Sequence, residues 1–147
     1  MLIGEFRHTI DAKNRLSIPS KFRQEMGNQV ILTTGLDSCL FIYTMSNWEK
    51  VTSRLAESES SMLQADNRGF NRYFLGGAVE AEIDNAGRIL VPSYLRERGG
   101  LVGNKVVIVG VRDRAEVWDE GRWEEYRKNI QGRADALAEK IGQTSFL

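Results

Sequence analysis

Asp11-Ala12-Lys13-Asn14-Arg15-Leu16-Ser17-Ile18-Pro19-Ser20-Lys21-Phe22-Arg23 is the stretch that decides the fold, because it recurs in altered form as Asp84-Asn85-Ala86-Gly87-Arg88-Ile89-Leu90-Val91-Pro92-Ser93-Tyr94-Leu95-Arg96. Each residue of the first copy corresponds in position to the residue 73 places later in the chain. The identical pairs are Asp11 and Asp84, Arg15 and Arg88, Pro19 and Pro92, Ser20 and Ser93, and Arg23 and Arg96. A repeat of half the chain length indicates two copies of one supersecondary unit.

The length of the repeat bears on how the chain is stabilised. The chain has 147 residues, 41% of them hydrophobic and 27% charged, which is ordinary for a globular protein. A unit of about 70 residues buries too little surface to be comfortably stable alone. We therefore expect a first repeat over residues 1–76 and a second over 77–147, divided at Gly76-Gly77, to share a core with each other or with further copies of the chain.

Hydrophobic periodicity gives each repeat strands and helices, so the fold class is α+β. Phe6, His8 and Ile10 alternate onto one face of an extended strand. After the turn, the positions predicted to point inward are Leu16 and Ile18 in the first copy and Ile89 and Val91 in the second. Pro19 then begins a short helix. Further strands and peripheral helices follow in both halves, and the second repeat ends in a helical tail from about residue 131 to the C-terminus.

The repeated turn has a recognisable chemistry. Asp11 and Asp84 are the residue type favoured at the start of a turn. Asn14 and Gly87 occupy matching positions, and both residue types enter the left-handed region easily. By alternation along the returning strands, Arg15 and Arg88 are predicted to face outward at the turn end.

Several classes of function find no support in the sequence. One histidine, one cysteine and the lack of a glycine-rich nucleotide loop leave no catalytic or metal-binding constellation, so we expect neither an enzyme nor a cofactor, a metal or a small-molecule substrate. Cys39 lies in an apolar run and is predicted to be a buried thiol. No stretch is typical of a signal peptide or a membrane span, so we expect a cytoplasmic protein with no membrane partner.

Charge is balanced overall, with 20 basic and 20 acidic residues, but it is segregated along the chain. Basic residues concentrate around the first repeated turn, at Arg7, Lys13, Arg15, Lys21 and Arg23. The Asp and Arg of each turn could form a purely structural clasp. Alternatively, a guanidinium fork on a protruding hairpin suits phosphate oxygens or the acceptor pair of guanine in the major groove. Both interpretations are open at this point.

The sequence resembles the bacterial MraZ family over essentially its whole length, to about Ile141. The resemblance rests on the doubled Asp-x-x-x-Arg-x-x-x-Pro pattern and on three flanking stretches: Gly4-Glu5-Phe6-Arg7-His8-Thr9-Ile10-Asp11-Ala12-Lys13, Gly35-Leu36-Asp37-Ser38-Cys39-Leu40, and Trp118-Asp119 with Trp123. Asn14 stands where the usual motif has glycine, and Ala86 stands in the second copy where the first has Lys13.

The resemblance implies a swapped-hairpin β-barrel of the AbrB type, formed by the two pseudo-symmetric halves, with chains assembled into a ring of about eight. It also implies a nucleoid-associated repressor of the division and cell wall gene cluster that binds short promoter repeats in double-stranded DNA. Arg15 and Arg88, supported by Lys13, are the DNA-contacting residues carried over from the family. Arg7, Lys21 and Arg23 are added on their charge alone. The alternative is an oligomeric scaffold protein in which the Asp-Arg motifs are only clasps.

Overall fold

The fold is described from a computed structural model of the chain, covering residues 1–57 and 62–143. The elements of the first half are β1 (Leu2–Thr9), β2 (Arg15–Ser17), α1 (Ser20–Met26), β3 (Gln29–Thr34), β4 (Leu40–Thr44), α2 (Met45–Glu57) and α3 (Ala65–Phe74). Those of the second half are β5 (Val79–Glu82), β6 (Arg88–Leu90), α4 (Ser93–Arg98), β7 (Lys105–Arg112), β8 (Ala115–Asp119) and α5 (Glu120–Gly142). The α+β class and the repeated halves are confirmed.

The two halves exchange strands instead of folding side by side. The larger sheet has six strands in the order β1-β7-β8-β4-β3-β5, all pairs antiparallel. At each edge of this sheet, a strand of one half pairs with a strand of the other half. β1 of the first half pairs with β7 of the second, and β5 of the second half pairs with β3 of the first. A separate two-stranded sheet joins β2 to β6. Neither half could therefore be removed without exposing the pairing edge of the other.

The expected swapped-hairpin barrel is only partly seen. Strands are exchanged between the halves, but β1 and β5 remain edge strands, so backbone hydrogen bonds among the described residues do not close the six-stranded sheet into a barrel. The hairpin after β1 is also shorter than the sequence suggested. Beyond the bridge between Ile10 and Leu16, the returning strand β2 leaves β1 and pairs with β6.

One hydrophobic core serves both halves. Leu16, Ile18, Ile89 and Val91, the positions predicted to point inward, are all at most 1% exposed. They lie in the same cluster as residues of the six-stranded sheet and of α1 and α4. Fully burying an aliphatic side chain contributes about 1.5–3 kcal/mol, so these residues hold the small sheet firmly against the body.

A second cluster covers the other face of the six-stranded sheet with the longer helices. Trp118, Phe41 and Tyr43 are buried there, and Trp48 of α2 and Trp123 of α5 pack on them. The expected tail from residue 131 to the C-terminus is described as far as residue 143, where it forms the exposed second half of α5, which continues to Gly142; residues 144–147 lie outside the described part of the chain. No helix in the described ranges is long and apolar enough to span a bilayer.

Candidate nucleic-acid interface

The first repeated turn is a compact loop organised by one carboxylate. Oδ1 of Asp11 accepts hydrogen bonds from the backbone N–H groups of Lys13 and Arg15, both at 2.9 Å, and Oδ2 accepts one from Nε of Arg15 at 2.7 Å. The N–H of Asn14 donates to the carbonyl of Asp11 at 3.0 Å, and Asn14 has a φ of 60°. A turn followed by a left-handed residue is a common three-residue hairpin loop.

The second turn repeats this arrangement atom for atom. Oδ1 of Asp84 accepts from the N–H groups of Ala86 and Arg88 at 2.9 Å, and Oδ2 accepts from Nε of Arg88 at 3.1 Å. Gly87 takes the left-handed position with a φ of 80°. Asp11 and Asp84 thus accept the backbone N–H groups of their loops, Asn14 and Gly87 take the left-handed positions, and the Asp-Arg clasp exists in both copies.

Hydrogen bonding sets the charge state of the two carboxylates. The backbone N–H of Arg15, and then its side chain, lower the pKa of Asp11 below its ordinary value. The backbone N–H of Arg88, and then its positive charge, lower the pKa of Asp84 in the same way. Both groups therefore stay ionised to a lower pH than an ordinary aspartate does, and each carboxylate offsets part of the positive charge of its own arginine.

The two loops lie side by side because β2 and β6 pair across the halves. Arg15 lies opposite Leu90, Leu16 opposite Ile89 and Ser17 opposite Arg88. Two further bonds extend the pairing into the loops, from Ile18 N–H to Gly87 O and from Val91 N–H to Asn14 O, each 2.8 Å. Nη1 of Arg88 lies 3.9 Å from Oδ2 of Asp11, so the charges of the loops are also in contact.

The small sheet presents one face to the core and one to solvent. Leu16 and Ile89 point inward, and the outer face carries Arg15, Ser17, Arg88 and Leu90. We call this outer face, together with the two loops, the ribbon. Arg15 and Arg88 have side-chain exposures of 34% and 30%, while Leu90 is 60% exposed. The arginines are thus partly outward, as predicted, with their Nε atoms turned back to the clasp.

Each clasp leaves part of its arginine available. Among the described residues, the Nη groups of Arg15 have no hydrogen-bond partner, and those of Arg88 have only the distant Asp11 carboxylate. A guanidinium bound through Nε still has its terminal edge, with two parallel N–H donors. The clasp and DNA binding are therefore compatible, because one end of the guanidinium can hold the loop while the other meets a ligand.

Two more arginines reach the loops from the short helices, each crossing from one half to the other. Nη1 of Arg96, on α4, donates to Oδ1 of Asn14 in the first loop at 2.8 Å. The guanidinium of Arg23, on α1, lies against Gly87 of the second loop, where a Cβ would be only 2.4 Å from Cζ. Arg96 was missed as a site residue, although its match to Arg23 in the repeat could have indicated it.

The other predicted basic residues are distributed differently. Lys13 is exposed in the first loop, and Lys21 is exposed on α1. Arg7 lies away from this group, since its guanidinium is ion-paired with Glu5 and with Glu124 of α5. The structure thus brings Lys13, Arg15, Arg88 and Arg23 to one region and places Arg7 beside Glu124 of α5.

Residues with other possible chemistry are accounted for by packing. Cys39 is buried, and burial raises the pKa of its thiol. His8 shares a face of β1 with Phe6, and burial followed by the charge of Arg23 lowers the pKa of its imidazole. Across residues 1–57 and 62–143, no three His, Cys, Asp or Glu side chains are grouped as a metal site would require.

The fold and the ribbon together define a class of protein: two copies of a strand-turn-strand-helix unit that exchange strands and present paired Asp-x-x-x-Arg loops. Residues 1–73 and 74–142 each match the family described as "MraZ protein, putative antitoxin-like". The chain belongs to the MraZ family, as its motifs indicated.

Individual relatives agree with this assignment. The chain is 46% identical over 141 residues to the transcriptional regulator MraZ of Moorella thermoacetica, and 43% identical over 141 residues to that of Caldanaerobacter subterraneus subsp. tengcongensis, with 96% of each chain covered. It is 44% identical to the protein of the same name from a Thermoanaerobacter species, again over 96% of each chain. Membership in a family of transcriptional regulators supports a role in transcription regulation and confirms the prediction that the protein is not an enzyme.

Proposed function

We propose that this protein is a sequence-specific repressor that reads the DNA major groove with the ribbon. The observation that carries the proposal is the pairing of β2 with β6, which puts Arg15 and Arg88 on one outward face of a single antiparallel ribbon. The major groove admits a two-stranded β-ribbon, and several regulators read DNA with strands placed there.

The chemistry of the outer face suits base readout. The free terminal edge of a clasped arginine can bind O6 and N7 of guanine together, or two oxygens of one phosphate. Lys13, exposed beside Arg15, supplies a further charge toward the backbone. Leu90 lies directly opposite Arg15 and is exposed, and an apolar side chain there is suited to the methyl group of thymine.

The ribbon is not fully symmetric, which bears on the type of operator. Leu90 corresponds to Ser17 in the repeat, and Ala86 corresponds to Lys13. A pseudo-symmetric ribbon with one polar and one apolar side chain distinguishes the two directions along DNA. Short direct repeats in a promoter, rather than palindromes, fit such a reader.

As the family resemblance implies, we propose that these repeats control the division and cell wall gene cluster and that the protein is cytoplasmic and associated with the nucleoid.

Oligomerisation completes the proposal. One ribbon offers few basic contacts, so a single chain should bind weakly, particularly with no net charge on the chain. A ring of about eight chains, each engaging one repeat, makes later contacts intramolecular and raises avidity by roughly 10² to 10⁴. We retain the division into repeats at residues 76 and 77 as part of the same proposal.

A salt titration of DNA binding tests this function. The probe is a double-stranded fragment carrying the promoter repeats upstream of the gene, with a scrambled fragment for comparison. Arg15→Ala should weaken specific binding about 5- to 150-fold if its fork reads guanine, and should lower the slope of log affinity against log salt by about 0.9 per ribbon if it neutralises a phosphate. Arg88→Ala should act similarly. Arg133→Ala, which removes an exposed arginine of α5 whose hydrogen bond within the described ranges is to Asn129, is the matched control.

The scaffold alternative predicts a different result. The clasp in both loops favours it as the second candidate, because a clasp alone would account for the Asp and the Arg. In that case Arg15→Ala lowers the unfolding temperature while the affinity of the folded fraction for DNA and the salt slope are unchanged. That outcome would exclude the DNA-reading role of Arg15.

A further inference from the structure

We infer that the arginines of the two short helices are positioning residues that brace the DNA-reading loops crosswise, Arg96 of the second repeat holding the first loop and Arg23 of the first repeat holding the second. This inference rests on the proposed function for its consequence in DNA binding, but the bracing itself can be measured without DNA.

The first brace is a side-chain hydrogen bond. Asn14 is held at a φ of 60° and its amide oxygen receives Nη1 of Arg96 at 2.8 Å. Nη2 of the same guanidinium donates to the carbonyl of Gly103 at 3.1 Å, just before β7. A planar fork tied at both ends loses little freedom per bond, so Arg96 links the tip of the first loop to the body of the second half.

The second brace uses the same helix position with a different contact. Gly87 has no side chain, and the guanidinium of Arg23 fills the space, with Nη1 only 2.3 Å from where a Cβ would stand. Nε of Arg23 donates to the carbonyl of Ile18 at 3.2 Å, and Ile18 lies just past the end of β2, the strand that pairs with β6. The residue at each left-handed position thus suits the contact that its arginine makes. Asn14 accepts a hydrogen bond from Arg96, whereas Gly87 leaves room for the guanidinium of Arg23.

The braces are crossed because the strands are crossed. Each helix follows its own returning strand, and β2 and β6 run antiparallel, so the end of one strand lies beside the loop of the other half. The guanidinium of Arg23 consequently faces the second loop, and its Nε is bonded to a backbone carbonyl. These contacts explain an arginine at this position without a DNA contact. Neither arginine is paired with a carboxylate among the described residues, so both remain committed to the loops.

The consequence is a cross-coupling between the repeats. The N–H groups of Lys13 and Arg15 converge on Asp11 only while the loop keeps its shape. Releasing Asn14 loosens that loop, and Arg15 loses its fixed position. Loss of an arginine in the second repeat should therefore act on the reading residue of the first, which a purely local model of two independent motifs does not predict.

Amide hydrogen exchange of the folded protein tests the braces directly. In Arg96→Ala, the Lys13 and Arg15 amides should exchange roughly 2- to 10-fold faster, the equivalent of one lost hydrogen bond, while those of Ala86 and Arg88 are unchanged. In Arg23→Ala, the pattern should reverse. Equal acceleration in both loops, or none in either, overturns the inference. Arg96→Lys, which retains a donor for Asn14, should restore part of the protection.

A double-mutant cycle on promoter-repeat DNA tests the functional consequence. Arg96→Ala should weaken binding by up to about 10-fold, the factor by which the first loop is loosened, and adding it to Arg15→Ala should cost little more, whereas its effect should add fully to that of Arg88→Ala. Full additivity with Arg15→Ala would mean that Arg96 acts independently and would overturn its role through the first loop. If Arg15→Ala itself leaves DNA binding intact, the proposed function fails, while the exchange pattern still decides the bracing.

Discussion

Replacing Gly87 with alanine tests how the second loop is built. Gly87 has a φ of 80° and lies against Arg23, whose Nη1 and Cζ would be 2.3 and 2.4 Å from an added Cβ. A left-handed backbone costs about 1–2 kcal/mol for a residue with a Cβ. Moving Arg23 aside also breaks its 3.2 Å bond to the Ile18 carbonyl, which contributes about 0.5–1.5 kcal/mol.

We therefore expect Gly87→Ala to lower the free energy of unfolding by about 2–3 kcal/mol. In a chain of this length, that corresponds to a fall in Tm of roughly 4–12 °C. Thermal unfolding and urea titration measure it. Because the alanine and Arg23 compete for the same space, Arg23→Ala and Gly87→Ala should be less than additive when combined.

Gly132→Ala is the matched control. Gly132 lies within α5, where nothing stands within 4 Å of an added Cβ. Alanine there should raise the free energy of unfolding by about 0.5–1 kcal/mol through helix propensity. A Gly87→Ala protein that unfolds at the wild-type temperature, or a double variant that loses the full sum of the single effects, would refute the reasoning about the second loop.

Three further predictions concern charge and recognition. Hydrogen bonds lower the pKa of Asp11 in the folded state. The stability they confer is therefore present above the unfolded-state pKa and is lost as pH falls through the folded-state pKa. In urea titrations below about pH 4, the stability of Asp11→Asn should depend less on pH than that of the wild type. The pKa of His8 is also lowered, from an ordinary 6.5, so stability should decline as pH drops below that value, and His8→Gln should remove this decline in the same titration. When the thymine bases of the promoter-repeat DNA are replaced by uracil, which lacks the methyl group, the wild type should bind several-fold more weakly. Leu90→Ser should bind the thymine and uracil fragments equally. Equal binding of the two fragments by the wild type would contradict the role of Leu90.

The clasp and the proposed DNA contact, which the sequence left as alternatives, would use different atoms of one side chain. Nε of Arg15 binds Asp11, while its Nη groups have no partner among the described residues. In the function we propose, the carboxylate fixes the direction of the fork before DNA arrives, which reduces the ordering required on binding. The repeated Asp would then serve recognition without any DNA contact of its own.

Much of this protein follows from the sequence alone. The match of residues 11–23 to 84–96 determined the two halves, and local chemistry indicated the turns, since an Asp three residues before a residue suited to positive φ favours this loop. Alternation identified Leu16 and Ile89 as core residues, because a strand has only two faces. Family membership followed from the same motifs.

Only the tertiary structure decided which strand pairs with which. The sequence suggested that β2 returns along β1, but it pairs with β6, which makes one ribbon of two distant motifs. That pairing also gave Arg23 and Arg96 their crossed partners. A separate long-range contact ties Arg7 to Glu124. Contacts of both kinds join residues far apart in the chain, so they leave no local periodicity to detect. Local rules fix the shape of each loop, whereas burial of a shared core fixes their arrangement, because that burial depends on the whole chain at once.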